Sequence, residues 1–315
     1  MLLAGKKKST LNALKQQLNS AFSMKDLGEA EHILGMRIKR DRQQHTLQVS
    51  QEKYIEKVLD RFNVADAKPL GVPLQPHVKL SKDDCPKNDD AANYMKSVPY
   101  ASACGSLMYA LVATRPDIAH AVGVVSRFMA NPGRAHWEAV KSILRYLKGT
   151  KSKCLCYGKG PLELKGFCDS DMAGDVDTRK SRSGCVYILA GGAISWCSTL
   201  LRIVALSTTE AEYISATEAS KEAIWLARLC SEFGMPEKAP VLGCDSQSAI
   251  CLAKNAMFHA RTKHIDVRYH FIREVFEDGP ITLIKVNTSQ NPADALTKCL
   301  PKAQHRLCIQ MVGVT

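Results

Sequence analysis

The chain has no stretch of about 18 consecutive apolar residues, so nothing in its hydropathy reads as a membrane-spanning helix. Its opening, MLLAGKKK, holds too short an apolar run for a secretory signal peptide. Internal repeats and low-complexity tracts are missing as well, which excludes solenoid and array architectures. Twelve cysteines are present. They include no C-x-x-C pair and no Cys/His array of zinc type, only the C-x-C of Cys154 and Cys156. Reduced thiols are the reading that remains, with Cys168, Cys185, Cys197 and Cys244 serving as small core residues of strands. Acidic residues are scarce: 31 Asp plus Glu face 43 Lys plus Arg, and the net charge of +12 points to a polyanionic partner. At 315 residues and 45% hydrophobic composition, the chain can build one large or two medium cores.

What is there begins with periodicity. Residues 11–22 place Leu11, Leu14, Leu18 and Phe22 on one helical stripe. Residues 33–41 and 46–51 suit two strands joined by a charged turn, and 52–62 a helix with Ile55, Val58, Leu59 and Phe62 inward. Between 66 and 99 stand Pro69, Pro73, Pro76, Pro86 and Pro99 with little periodicity, the pattern of a linker or an extended crossing segment. Residues 100–149 read as mainly helical. Over 136–150, Trp137, Val140, Leu144 and Leu147 form an apolar stripe that stops at Gly149. Lys141, Arg145 and Lys148 recur on another face of that helix, suited either to water or to tracking phosphates.

From 161 the order changes. Strands are expected at 164–171, 183–192 and 193–199, with 203–207 continuing the last. A long helix follows at 208–234, then a strand at 240–246 running into a helix at 248–255, a helix at 264–279, a strand at 281–287 and a helix at 293–300. Three antiparallel strands followed by alternating helices and strands imply an α/β unit, a mixed sheet with helices on its faces. The N-terminal part reads as α+β.

Four acids stand where these elements end or begin: Asp169, Glu212, Asp245 and Asp294. Each has a competing structural role. Asp169 and its neighbour Asp171 could form a turn, Asp245 could cap the helix after it, and Asp294 could meet a helix dipole in a first turn. Glu210 is separated from Glu212 by the capping-box spacing Ser207-x-x-Glu210. Glu212 instead lies in line with Ala216, Ala219 and Ala223 on the face that packs on the sheet, where a carboxylate has no structural task. Asp266 is a rival for the fourth place. Four carboxylates brought together resist ionising unless cations enter. A pair of divalent metals about 4 Å apart resolves the repulsion and is the apparatus for cleaving a phosphodiester.

The strings GFCDSDMAGD, RKSRSG, GGAISW, ALSTTEAEYISATEASKEAIWL, CDSQSAI, HARTKHIDVRYHFIRE and NPADALTK, spread over about 164–300, resemble the ribonuclease H domain of copia-type (pseudoviral) LTR-retrotransposon Pol polyproteins. MKDLGEAEHILGMRIKRD, LQVSQEKYIEKVLDRF, VPYASACGSLMYALVATRPDIAHAVGVVSRF and HWEAVKSILRYLKGT are similar to the reverse-transcriptase tail and connecting region of the same polyproteins, the tobacco-type plant elements in particular.

The resemblance implies a ribonuclease H-like mixed five-stranded sheet flanked by helices, at 161–300. It also implies a truncated palm/thumb remnant at 1–62, a linker and helical connection at 63–160, and a C-terminal tail at 301–315. In the family, MLLAG comes just after the polymerase's Tyr-x-Asp-Asp motif, so polymerase activity is not expected of this sequence. The resemblance implies that Asp169, Glu212, Asp245 and Asp294 hold two Mg²⁺ (or Mn²⁺) and that the RNA strand of an RNA–DNA hybrid is hydrolysed. Arg179, Lys180, Arg182, Arg261, Lys263 and Arg268 are candidate phosphate contacts, with Lys141 and Arg145 farther upstream. The implied partners are the hybrid and the rest of a retrotransposon polyprotein, with no membrane. The implied place is a cytoplasmic virus-like particle or the nucleus, not the secretory route.

The sequence departs from the family at Cys197–Arg202, where a Lys is lost and Leu200 and Leu201 stand in what reads as a turn. The loop Thr288–Pro292 also lacks a His that some ribonucleases H use for product release. The alternative is an inactive transposon-derived fragment that only binds nucleic acid. An integrase or resolvase core is a third reading, disfavoured by the order of the four acids.

Overall fold

The computed structural model describes residues 1–5, 7–236, 238–254, 265, 271–277 and 279–315. Helix α1 (Lys8–Ala21) buries none of its residues, so its expected leucine stripe packs on nothing deep. Three strands follow, β1 (His32–Ile33), β2 (Met36–Asp41) and β3 (Thr46–Ser50), then α2 (Glu52–Arg61). Ile55, Val58 and Leu59 of α2 are buried, as their spacing predicts. The proline-rich stretch is more than a linker. It carries helix α3 (Asp89–Lys96) and buries Val72, Leu74 and Leu80. Helices α4 (Tyr100–Ala113), α5 (Ala119–Val125) and α6 (Arg134–Gly149) complete a helical core with α2. Val140, Leu144 and Leu147 of α6 are buried in it and Trp137 packs at its edge.

Strand β4 (Leu155–Tyr157) lies in the expected connection region, yet it pairs antiparallel with β3 and closes a four-stranded sheet in the order β1-β2-β3-β4. A second sheet holds β5 (Lys165–Ser170), β6 (Arg182–Leu189), β7 (Gly192–Leu200), β8 (Val241–Cys244) and β9 (Thr282–Lys285). Its order is β7-β6-β5-β8-β9, with β5–β6 and β6–β7 antiparallel and β5–β8 and β8–β9 parallel. This is the ribonuclease H-like mixed sheet that the sequence implies.

Helix α7 (Thr208–Glu232) lies across one face of the second sheet. Ala211, Ala216, Ala219 and Ala223 are buried there with Cys168, Tyr187 and Leu242; small side chains let the helix axis approach the strands. Helices α8 (Gln247–Lys254) and α9 (Phe271–Glu277) pack beside α7. The opposite face buries Phe167, Val186 and Ala193 against α10 (Asp294–Thr297) and α11 (Lys302–Met311).

Several expectations change. Residues 203–207 form no strand; the chain turns there, burying Ala205, before Ser207 caps α7. Cys197–Leu200 are not a turn but the end of β7, and Leu201 is buried in the core under α7. The last helix of the expected domain is one turn, ending at Thr297 rather than 300. The expected 301–315 tail is helical over α11, and its final residues return to pair with the start of β4. The helix expected at 264–279 is present over Phe271–Glu277, while residues 266–270, with Asp266, lie outside the described residues.

Candidate metal centre

Asp169 is buried at the end of β5, on the α10 face of the sheet. Its register partner on β6 is Gly184. A Cβ at Gly184 would stand 2.8 Å from Leu296 Cβ and from Thr297 Cγ2, so the missing side chain is what lets α10 settle on the strand. The settled helix brings two groups to Asp169. Thr297 Oγ1 donates a hydrogen bond to Asp169 Oδ2, and Lys298 Nζ lies 3.6 Å from the same oxygen. Asn291 Nδ2 donates to the Cys168 carbonyl at 2.9 Å and ties the segment before α10 to the same strand.

Asp245 follows the last residue of β8, the parallel neighbour of β5. It does not cap α8: Ser246 Oγ accepts the Ala249 N–H at 3.2 Å instead, which leaves the Asp245 carboxylate for other use. Lys285, at the end of β9, donates to the Asp245 backbone oxygen. Asp294 opens α10, buried, with Ala293 at the cap position. One carboxylate oxygen from each of Asp169, Asp245 and Asp294 lies within 4.8 Å of the others.

Glu212 approaches from the other face of the sheet and is not one of the three carboxylates within 4.8 Å of one another. It is buried on α7, its Oε1 accepts the Ser170 N–H at 3.3 Å, and its Oε2 stands 4.0 Å from Cys244 Sγ. Burial, then the charges of Asp169, Cys244 and Asp245, push the Glu212 carboxyl up to about 10. Burial and then Asp169 push Asp294 up to about 7, against the pull of Lys298. Burial alone would lower the Lys298 ammonium, but Asp169 and Asp294 outweigh it and its pKa is raised.

Glu210 takes the structural role its spacing suggests, with one shift. Ser207 Oγ accepts the Glu210 N–H at 3.1 Å, while Glu210 Oε2 reaches back past Ser207 to the Leu206 N–H at 2.8 Å. Asp171 is also structural. Its Oδ1 accepts the Arg182 N–H at 2.6 Å and closes the loop from 171 to 182, and burial raises its pKa.

The donor set fits a divalent cation. All four groups are carboxylates, the hard oxygen ligands that Mg²⁺ and Mn²⁺ prefer. Asp294 Oδ1 is buried without an aligned hydrogen-bond donor, its neighbour being the ion-paired Lys298 Nζ at 3.1 Å. A divalent cation could satisfy that oxygen in place of the ammonium.

The basic residues divide. Arg179 is exposed and Lys180 half-buried on the 171–182 loop, which Asp175 and Asp177 anchor through Arg127 and the Lys82 N–H. Arg182 is not a surface cation. It is buried at the start of β6, its Nη1 aimed at the Ser198 carbonyl (3.5 Å) and hydroxyl (3.4 Å), and burial lowers its pKa. Lys141 pairs with Glu138 at 2.5 Å, and Arg145 donates to the Lys68 carbonyl at 2.7 Å, so that helix face is partly spent on internal contacts. Arg261, Lys263 and Arg268 lie outside the described residues.

Residues 1–76 match the reverse transcriptase (RNA-dependent DNA polymerase) family. The chain is 58% identical, over its whole length, to the retrovirus-related Pol polyprotein from transposon TNT 1-94 of Nicotiana tabacum, and spans 24% of that polyprotein. It is 33% identical to a transposon Ty5-1 protein of Saccharomyces cerevisiae over 70% of this chain and 70% of that one. The chain belongs to the copia-type retrotransposon Pol polyproteins. Among solved structures, an LC11-RNase H1 in complex with an RNA/DNA hybrid overlaps 43% of this Pol chain and 94% of its own, at 12% identity and a TM-score of 0.32. An overlap that slight adds nothing to the sheet topology already described.

Two residues of this Pol chain escaped the sequence reading. Thr297 and Lys298 stand inside the string NPADALTK without having been singled out. The signal was the spacing: Lys298 is four residues beyond Asp294, the separation at which helix side chains of opposite charge meet.

Proposed function

We propose that residues 161–300 of this Pol chain are a ribonuclease H domain that hydrolyses the RNA strand of an RNA–DNA hybrid with two Mg²⁺ or Mn²⁺ ions. The observation that carries the reading is the convergence of Asp169, Asp245 and Asp294 from β5, β8 and α10 within 4.8 Å, with Glu212 entering from α7.

Bound divalent ions would activate a water and stabilise the leaving 3′ oxygen. The chain's own groups prepare the site for them. Thr297 fixes the Asp169 carboxylate, and the Ser170 N–H holds Glu212 Oε1 toward the strand end. Glu212 and Asp294, whose carboxyls are raised first by burial and then by the negative charges facing them, would give up protons to bind cations. Lys298 offsets the charges of Asp169 and Asp294, and would be free to meet a phosphate oxygen if cations took over that task. Arg179 and Lys180 are positioned on an anchored loop to contact backbone phosphates. Recognition through phosphates and 2′-hydroxyls suits a hybrid with A-like geometry.

The test is cleavage of a hybrid labelled on each strand by the full chain, with Mg²⁺, with EDTA, and as Asp169→Asn. Cutting of the RNA strand alone, lost with EDTA and in the variant, is expected. Cutting at the same rate by Asp169→Asn would overturn the metal assignment.

A further inference from the structure

The C-x-C of the sequence takes no part in the carboxylate site, and its geometry is specific. Cys154 and Thr315 exchange both backbone hydrogen bonds, at 3.0 and 3.1 Å, and the Cys156 N–H donates to the Gly313 carbonyl at 2.9 Å. The segment thus runs antiparallel to the last residues of the chain, with Leu155 opposite Val314. Alternate residues of a strand share a face, as do cross-strand partners. Cys154, Cys156 and Thr315 therefore project from one face, while Gly313, at φ +77, offers no side chain beside Cys156. The result is a convergence of donors. Cys154 Sγ and Cys156 Sγ are 3.4 Å apart, Cys156 Sγ is 3.0 Å from Thr315 Oγ1, and Cys154 Sγ is 3.8 Å from the Thr315 carbonyl oxygen. Cys156 is buried and Cys154 half-buried, so the pair has a route to solvent on one side.

We propose that Cys154 and Cys156 form a dithiolate site for a soft divalent cation of the Zn²⁺ or Cd²⁺ class, completed by Thr315 oxygens or water. Two thiolates on one tetrahedral Zn²⁺, each at about 2.3 Å, stand about 3.8 Å apart. The observed 3.4 Å needs only a few tenths of an ångström of opening. A disulfide fits less well. Residues i and i+2 of an extended strand are about 6.6–6.8 Å apart, at the upper limit for a disulfide's Cα atoms. On binding, two S–H bonds break, two metal–sulfur bonds form, and two protons pass to the buffer with no change of oxidation state. A divalent ion on two thiolates is neutral, so the ammonium groups of Lys153 and Lys159, which act on Cys154, do not repel the complex. The site is independent of the carboxylate centre: soft thiolates select a cation that Mg²⁺-type oxygen ligands do not. Its place is the meeting point of the two sheets, because β4 bonds to β3 on one edge and to 313–315 on the other.

Titration of the reduced full chain with Cd²⁺, in excess Mg²⁺ to hold the carboxylates, tests the proposal. Thiolate-to-cadmium charge-transfer absorption should reach one equivalent more in the wild type than in Cys154→Ser, with the exposed Cys251→Ser variant unchanged. A second measurement needs no variant: bound Cd²⁺ should slow alkylation of Cys154 at least tenfold and leave Cys251 unaffected. Equal uptake by a folded Cys154→Ser, or Cys154 alkylation at the same rate with and without Cd²⁺, would overturn it.

Discussion

Lys298 Nζ lies 3.1 Å from Asp294 Oδ1, one helical turn along, and 3.6 Å from Asp169 Oδ2. The ammonium occupies ground between two buried acids that a metal cation would otherwise claim. Lys298→Gln should therefore tighten Mg²⁺ binding about tenfold by removing a competitor. In the metal-free protein it should cost about 1 kcal/mol or less, because the Lys298 side chain is 39% exposed and water screens it. Calorimetric titration with Mg²⁺ and a thermal melt check both; weaker Mg²⁺ binding in the variant would show that Lys298 supports the site rather than competing for it.

Raised carboxyl pKa values carry a sign. Glu212, at about 10, and Asp294, at about 7, bind protons more tightly in the folded chain than at their ordinary values of 4.5 and 3.8. The folded state then holds more protons than the unfolded one, and stability falls as pH rises. The Asp294 contribution is lost between about pH 4 and 7, and the Glu212 contribution continues to fall toward pH 10. Without divalent ions the melting temperature should drop steadily from pH 5 to 8. With saturating Mg²⁺ the drop should largely vanish, since cations replace the protons. A flat metal-free profile over that range would contradict the geometry.

Glu210 and Glu212 sit one turn apart in role though two residues apart in sequence. Glu210→Gln, which alters the carboxylate that accepts the Leu206 N–H at the helix start, should cost about 1 kcal/mol and spare most hybrid cleavage. Glu212→Gln should leave metal-free stability unchanged or higher, because its carboxyl is already protonated there, and should reduce Mg²⁺-dependent cleavage at least a hundredfold. The reverse pattern of activities would exchange the two assignments.

Gly184→Ala places a methyl against Leu296 and Thr297. Overpacking there should cost about 1–3 kcal/mol. Because α10 carries Asp294 and Thr297, Mg²⁺ affinity should fall with it, about ten- to a hundredfold. Thr297→Val, which leaves the packing volume and removes the hydroxyl, should reproduce the loss of affinity with little loss of stability. Unaltered Mg²⁺ binding in both variants would mean that α10 does not set the position of Asp169.

Much of this arrangement was legible in the sequence, for identifiable reasons. Asp169 and Asp245 each close an apolar strand, and parallel neighbours necessarily bring their ends together. Glu212 was distinguished by its alanine line, since a carboxylate on a packing face needs a reason to be there. Other features were hidden by tertiary context. Arg182 reads as one more basic residue of a basic loop; only the nearness of Gly123, whose Cβ position lies 2.7 Å from its guanidinium nitrogen, shows that α5 covers it. Leu200 and Leu201 read as misplaced in a turn because the length of β7 depends on its partner β6, not on its own residues. The final residues carry no periodicity strong enough to announce that they bury Ile309, Val312 and Val314 against β4 and the second sheet.

Strand β4 has one further consequence. Three residues bond on one edge to the sheet of the first part of the chain and on the other to its last residues. Neither sheet can come away without breaking the same short strand, and the loss of that strand uncovers Leu155 and Cys156 together. Melting should therefore run as a single cooperative event through both halves, rather than as two independent transitions.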